Sequence, residues 1–176
     1  MNHSIRFWFV LRQGGACKRL GRAVLVVAAM LWGSMGVAHA QGLPDAVNLK
    51  AEIEAAVAKG EPLVVMVSLE QCPFCIVARR SYLVPLLKQG QPIVQVNMRT
   101  SKPLINATGG IATHDALTKT WKIKVVPTLL FLGPGGVEVA ERIEGASLPD
   151  FYGAYIDERI LTGRVKLHTP GSRGKP

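Results

Sequence analysis

Several things are scarce in this sequence of 176 residues. Aromatic side chains make up 6% of it, charged ones 19%, and there are three cysteines. Three cysteines cannot build a small disulfide-framework domain. A chain that is 48% hydrophobic is also not composed like a disordered one. No HxxxH, GxSxG or nucleotide-binding pattern occurs. Gly133-Pro134-Gly135-Gly136 is a turn and not a phosphate loop, because neither its pattern nor a following helix matches. There is no internal repeat, and the length suits one domain with a real core. Positive charge is plentiful: 21 Lys and Arg face 12 Asp and Glu, a net charge of +9 with histidine neutral. Spread evenly, that excess would suggest nucleic acid or an anionic membrane.

The charge is not spread evenly. The first 22 residues hold Arg6, Arg12, Lys18, Arg19 and Arg22 and no acid, and they lead into the apolar stretch Ala23 to Ala38, followed by His39 and Ala40. A basic region, an apolar region and an A-x-A end describe a secretory signal. Residues 1–40 are therefore expected to be a signal peptide cleaved after Ala40. If it stayed uncleaved, this segment would be the chain's one membrane attachment, although a stretch of 16 residues is short of the roughly 20 a spanning helix needs. Cleavage leaves 136 residues with 16 basic and 12 acidic side chains, a charge of only +4. Nucleic acid is then not an expected partner. Cys17 goes with the signal, and the expected location is a bacterial periplasm.

Along the remaining chain, Pro44-Asp45 followed by Leu49, Ile53 and Val57 reads as a helix with an Asp45 cap and a stop at Lys59-Gly60. Residues 62–69 form a β-branched apolar run without alternation, the mark of a strand covered on both faces. Cys72 opens a helical segment to about Lys88, with a kink or break expected near Ser81–Val84 because of Pro85. Residues 92–98 alternate as a second strand, and 99–112 show no period and read as an irregular excursion. Thr113 is placed to cap a short helix with Leu117 and Trp121 on its inner face. Residues 125–132 form a third strand interrupted by Pro127, and a hairpin through Gly133–Gly136 leads to a fourth. Ser147–Asp150 resembles a capping box before a helix carrying Tyr152, Tyr155, Ile156 and Ile160 on one stripe, ending at Gly163. This order predicts an α/β fold in which helices flank a mixed four-stranded sheet. The folded domain is expected over 41–161, with 162–176 a loose basic tail.

Cys72-Pro73-Phe74-Cys75 lies between the buried strand and the helix that follows it. Unpaired N–H groups and the positive end of the helix dipole stabilise a thiolate at a helix start. Pro73 suits the first helical position, where its missing N–H costs nothing. Cys72 is thus expected to attack disulfides as a thiolate, and Cys75, one turn further in, to resolve the mixed disulfide. A purely structural role fits poorly, since closing so short a loop removes little unfolded-state entropy. A zinc or copper site would need further ligands, with His114 and His168 as the histidines to supply them.

Three segments together resemble the thioredoxin-like superfamily: 69–75 with its CxxC, Val125-Val126-Pro127-Thr128 some fifty residues later, and Gly145-Ala146-Ser147-Leu148 before the last helix. The resemblance covers roughly 50–161 and implies a thioredoxin fold. It also implies a cis Pro127 facing the active site and a peptide-docking ledge at Val126 and Pro127, joined by Pro73 and Phe74. The nearer likeness is to exported bacterial members, which carry an insertion like Thr100–Ala112. Cytoplasmic members hold a buried aspartate where this sequence has Met66, and a tryptophan where it has Gln71. Strongly oxidising exported members have histidine in place of Phe74, so an intermediate potential is expected. Glu70 reads as a solvated loop acid, and Arg79 and Arg80 as a solvated helix face. The function implied is a periplasmic dithiol–disulfide oxidoreductase, chiefly a reductase. It would need no cofactor and would draw electrons from a periplasmic or membrane thiol partner. The alternatives are a disulfide oxidase or isomerase, or a metal-binding delivery module.

Overall fold

The computed structural model describes residues 42–146 and 151–169. The expected signal segment, the capping box at 147–150 and the end of the tail beyond 169 lie outside the described residues.

Helix α1 (Leu49–Ala58) buries Leu49, Ile53 and Ala56. Its cap is Asn48, whose side chain accepts from the Ala51 N–H at 3.1 Å, while Glu52 accepts from the N–H groups of Val47 and Asn48. The expected cap, Asp45, lies three residues before Asn48 and is used elsewhere. The stop at Gly60 is as expected. With φ of 75°, Gly60 donates to Val57, and Glu61 reaches back to Ala56, a pairing that satisfies the last carbonyls.

Strand β1 (Leu63–Ser68) is buried along its whole length. A helical stretch follows: α2 (Pro73–Val77), a π-helical turn (Ala78–Leu83) and α3 (Val84–Lys88). Pro85 explains the π turn. It has no N–H to give and its ring excludes a normal i−4 carbonyl, so the ladder widens just before it, with the Val84 N–H donating to Arg79 O. Strand β2 (Ile93–Asn97) comes next.

Residues 99–112, expected to be irregular, contain regular structure. They fold as a small antiparallel hairpin, β3 (Pro103–Ile105) with β4 (Ile111–Thr113). Its turn is held by Asn106, whose side chain accepts from Thr108 and Gly110. Strands of three residues are too short to display a period of two, which is why the sequence reads as formless there. Thr113 caps α4 (His114–Thr120), accepting from Ala116 at 3.1 Å. Strand β5 (Thr128–Leu132) and strand β6 (Glu138–Glu144) complete a four-stranded sheet of order β2-β1-β5-β6, with β1 parallel to β2 and antiparallel to β5.

Helix α5 (Tyr152–His168) runs past Gly163, so the expected stop there and the loose tail from 162 are both corrected as far as His168. Gly163 is a packing residue: a Cβ would meet the Pro62 ring at 3.0 Å and Val139 at 3.2 Å. Tyr152, Ile156 and Ile160 are buried as a stripe, whereas Tyr155 is exposed. The two sheet faces carry separate cores. Val64, Met66, Leu129 and Phe131 pack with Cys75, Leu83 and α5. Leu63, Val65, Val67, Leu130 and Leu132 pack with α1, Leu117 and Ile123. Trp121 packs against this second core from its edge.

Candidate active site

The register of β1 with β5 decides where the site sits. Val67 pairs with Thr128, so the end of β1, from which the chain runs to Cys72, lies beside the start of β5 and the Val126–Pro127 bond that precedes it. That bond is cis. The two segments singled out from the sequence, more than fifty positions apart, meet at one end of the sheet.

Cys72 is the N-cap of α2, with Pro73 in its first turn. The Cys72 Sγ accepts the Cys75 N–H at 3.2 Å, one of the donors a helix start leaves free. Cys72 and Cys75 form a disulfide, their Cα atoms 5.2 Å apart. Their exposures differ: Cys72 is half-buried and Cys75 fully buried. Met66 is buried in the same core as Cys75, so the position at which the resembled cytoplasmic members hold an aspartate is apolar here. Gln71, just before Cys72, has φ of 60°, a left-handed conformation uncommon for a residue with a side chain. Glu70 is exposed.

Of the expected docking residues, Pro73 is exposed, Phe74 is 64% exposed, Val126 is half-buried and Pro127 is buried. The Pro127 carbonyl accepts from Gly145 at 2.8 Å. Three further apolar side chains reach solvent at this end of the fold: Ile76 and Val77 on α2, and Val125 before β5. Helical spacing could have found the first two, because Cys75 and Ala78 face inward and the residues between them must face out.

Arg79 is half-buried and not the solvated residue expected from the sequence. Its Nε donates to Gln95 Oε1 at 2.7 Å and its terminal nitrogen to Ser68 Oγ at 2.8 Å. Burial lowers its pKa from the ordinary arginine value, the neighbouring Arg80 lowers it further, and Asp45 opposes both. Arg80 is exposed, as expected. Gln95 in turn donates to Asn97 at 2.8 Å, and Asn97 donates to Asp45 at 2.9 Å. Lys102, from the inserted segment, pairs with Asp45. Burial raises the Asp45 pKa, but the hydrogen bond and charge of Lys102, with help from Asn97 and His114, bring it below its usual 3.8.

His114 is fully buried. One ring nitrogen accepts the Asn97 N–H at 3.0 Å, and the other bonds the Ala46 carbonyl at 3.0 Å. Both nitrogens are therefore committed within the core and far from a free ligand position. His168 bonds the Arg164 carbonyl at 2.8 Å. Among the described residues, no three His, Cys, Asp or Glu side chains gather as a metal site.

Residues 49–159 match the family model described as a thioredoxin-like domain. Similar solved structures include the periplasmic thioredoxin SoxS from Paracoccus pantotrophus, at 19% identity and a TM-score of 0.37, covering 57% of this chain and 96% of that one. An uncharacterized thioredoxin-like protein from Clostridium perfringens is 18% identical with a TM-score of 0.44, covering 72% of this chain and 90% of that one. Poplar thioredoxin h is 17% identical with a TM-score of 0.42, covering 65% and 96%. No curated protein matches the sequence. With most of the folded chain inside that family model and a cysteine pair closed as a disulfide at the head of α2, this protein belongs to the thioredoxin-like family and is a thiol:disulfide oxidoreductase.

Proposed function

We propose that the protein is an exported, periplasmic oxidoreductase that works chiefly as a reductase of protein disulfides. The observation that carries the reading is the inequality of the two sulfurs. Cys72 caps the helix, accepts an N–H and reaches solvent, whereas Cys75 is sealed in the core. In the reduced protein the Cys72 thiolate attacks one sulfur of a substrate disulfide. A mixed disulfide forms, and the other substrate sulfur leaves as a thiolate. Cys75, losing its proton, then attacks Cys72. The second substrate thiol is released and the Cys72–Cys75 disulfide closes, so that two electrons have passed to the substrate. A thiol partner of the compartment restores the dithiol by the reverse exchange.

The exposed apolar residues Phe74, Ile76, Val77 and Val125 suit an extended, partly apolar client segment. Among the described residues, neither main-chain polar group of Val126 has a backbone partner, which leaves it able to pair with such a segment in the manner of an added strand. Phenylalanine at position 74 supplies no charge to the thiolate, and this favours the reducing direction over strong oxidation. Export rests on the basic and apolar composition of residues 1–40.

Trapping tests the reading. Cys75→Ala, expressed in the periplasm, is expected to accumulate mixed disulfides through Cys72, and these identify client and electron donor together. Absence of any adduct that Cys72→Ser abolishes would sink the exchange mechanism. Turnover of insulin disulfides by the wild-type protein would separate a reductase from a carrier that only binds metal.

A further inference from the structure

We propose that Arg79 is a positioning residue for the Cys72–Cys75 couple: its guanidinium, tied to Ser68 and Gln95, fixes the loop that carries Cys72 and stabilises the Cys72 thiolate. The inference rests on the reading of Cys72 as the attacking thiol and adds the group that supports it.

The first argument is placement. Ser68 is the last residue of β1, four positions before Cys72, and Arg79 stands four positions after Cys75. The Arg79–Ser68 hydrogen bond of 2.8 Å therefore closes a loop around the whole CxxC segment. The bond to Gln95 at 2.7 Å fixes that closure to β2. Arg79 also anchors the π turn, since its carbonyl takes the Val84 N–H. One residue thus holds the active-site helix by backbone and side chain together.

The second argument is charge. Both side-chain hydrogen-bond partners of Arg79, Ser68 and Gln95, are neutral, so no anion pairs directly with the guanidinium, and the carboxylate whose charge reaches it is Asp45. Gln95 turns its carbonyl to Arg79 and its amide towards Asn97 and Asp45. Asp45 is an amide away and already paired with Lys102. Glu70 and Arg80 are exposed, and although Arg80 bears on its neighbour Arg79, water screens the effect of both on Cys72. Burial pulls the pKa of Arg79 down, yet an arginine stays protonated. A fixed, partly desolvated cation one turn beyond Cys75 favours thiolate at the head of the same helix. Seven residues of helical rise separate Arg79 from Cys72, about 10 Å, and at that order of distance a unit charge in an effective dielectric of about 20 shifts the thiol–thiolate equilibrium about tenfold.

The test compares alkylation of reduced Cys72 against pH, and the equilibrium of the couple with glutathione, in wild type and variants. Arg79→Met is expected to raise the Cys72 pKa, to lower the thiolate fraction about tenfold on the acid side of the curve, and to make the couple more reducing. Gln95→Glu, which sets a carboxylate against the guanidinium without removing it, is expected to act in the same direction. Arg80→Met is expected to leave the profile within about twofold of wild type, as for a screened surface charge. The proposal is overturned if folded Arg79→Met and Gln95→Glu both keep the wild-type profile, or if Arg80→Met shifts it as far. Should Arg79→Met fail to fold, Gln95→Glu decides. Neither readout uses a protein client, so failure of the reductase reading in the trapping experiment is distinguishable from failure here.

Discussion

Replacing Phe74 by histidine is expected to move this couple towards oxidation, and the size of the move follows from where the side chain sits. Phe74 is the second residue of α2, two positions past Cys72, and 64% exposed. Losing its ring removes little buried surface, so stability should change by less than about 0.5 kcal/mol. An imidazolium at about 6 Å from the sulfur, in an effective dielectric of about 40 between the surface and bulk values, attracts a thiolate by about 1.4 kcal/mol. That is about one pKa unit, or about 30 mV for a two-electron couple when Cys72 is ionised. Because the coupling is mutual, the thiolate raises the imidazole pKa from about 6.5 to about 7.5. The gain is therefore largest near neutral pH and fades above about pH 8.5, where the imidazole is uncharged. Stabilising the thiolate stabilises the reduced form, and a more stable thiolate is a weaker nucleophile, so disulfide reduction should slow. Equilibration with glutathione at about pH 7 and again at about pH 9 measures both the size and the pH dependence, with Phe74→Leu as the uncharged control. A shift below about 10 mV at neutral pH, or an equal shift at both pH values, would refute the electrostatic reasoning.

Two stability predictions follow from the elements around the site. Asp45→Ala should cost about 1–2 kcal/mol at neutral pH, because the half-buried Asn97 amide loses its acceptor while Lys102 simply returns to water. The folded-state pKa of Asp45 lies below its ordinary 3.8, so its contribution is complete above that value and is lost as pH falls through the depressed one. Urea denaturation should accordingly show the gap between variant and wild type narrowing below about pH 4, and a gap that persists unchanged would refute this account. Gly163→Leu should lower stability by about 1–3 kcal/mol despite leucine's better helix propensity, because the side chain would press on Pro62 and Val139. A thermal midpoint equal to or above wild type would show that the α5–sheet contact can relax.

Two glycines mark the limit of what sequence could tell about this fold. Lys59-Gly60 and Thr162-Gly163 present the same signal, a glycine after an amphipathic stripe. The first ends α1 with φ of 75°, and the second lies inside α5 against Pro62. Whether a glycine turns the chain or admits a neighbour depends on what packs there, and a one-dimensional pattern does not contain that. The strands were legible for the opposite reason. A β-branched run buried on both faces, such as Leu63–Ser68, has a composition that no surface element shares. The three-residue strands of the inserted hairpin fall below the length at which any period can be seen.

The site divides along the same line. Cys72, Cys75 and the Val126–Pro127 bond are carried by short local patterns and were readable. Arg79 was not, because its partners come from positions 68 and 95, and no local pattern joins them. Asp45 went unrecognised for a related reason: Pro44-Asp45 imitates a helix cap, yet Asn48 takes that role and leaves Asp45 free to hold Asn97 and Lys102. The consequence for the chemistry is specific. A buried carboxylate beside Cys75 would accept its proton but repel a thiolate, and Met66 does neither. A guanidinium such as Arg79 attracts a thiolate but accepts no proton. In such a site the first attack, by a thiolate formed at the helix head, is well supported. On the proposed mechanism the second step must pass the Cys75 proton to water or to the departing substrate thiolate, so as pH falls resolution is expected to slow along with the first attack, which loses its own thiolate.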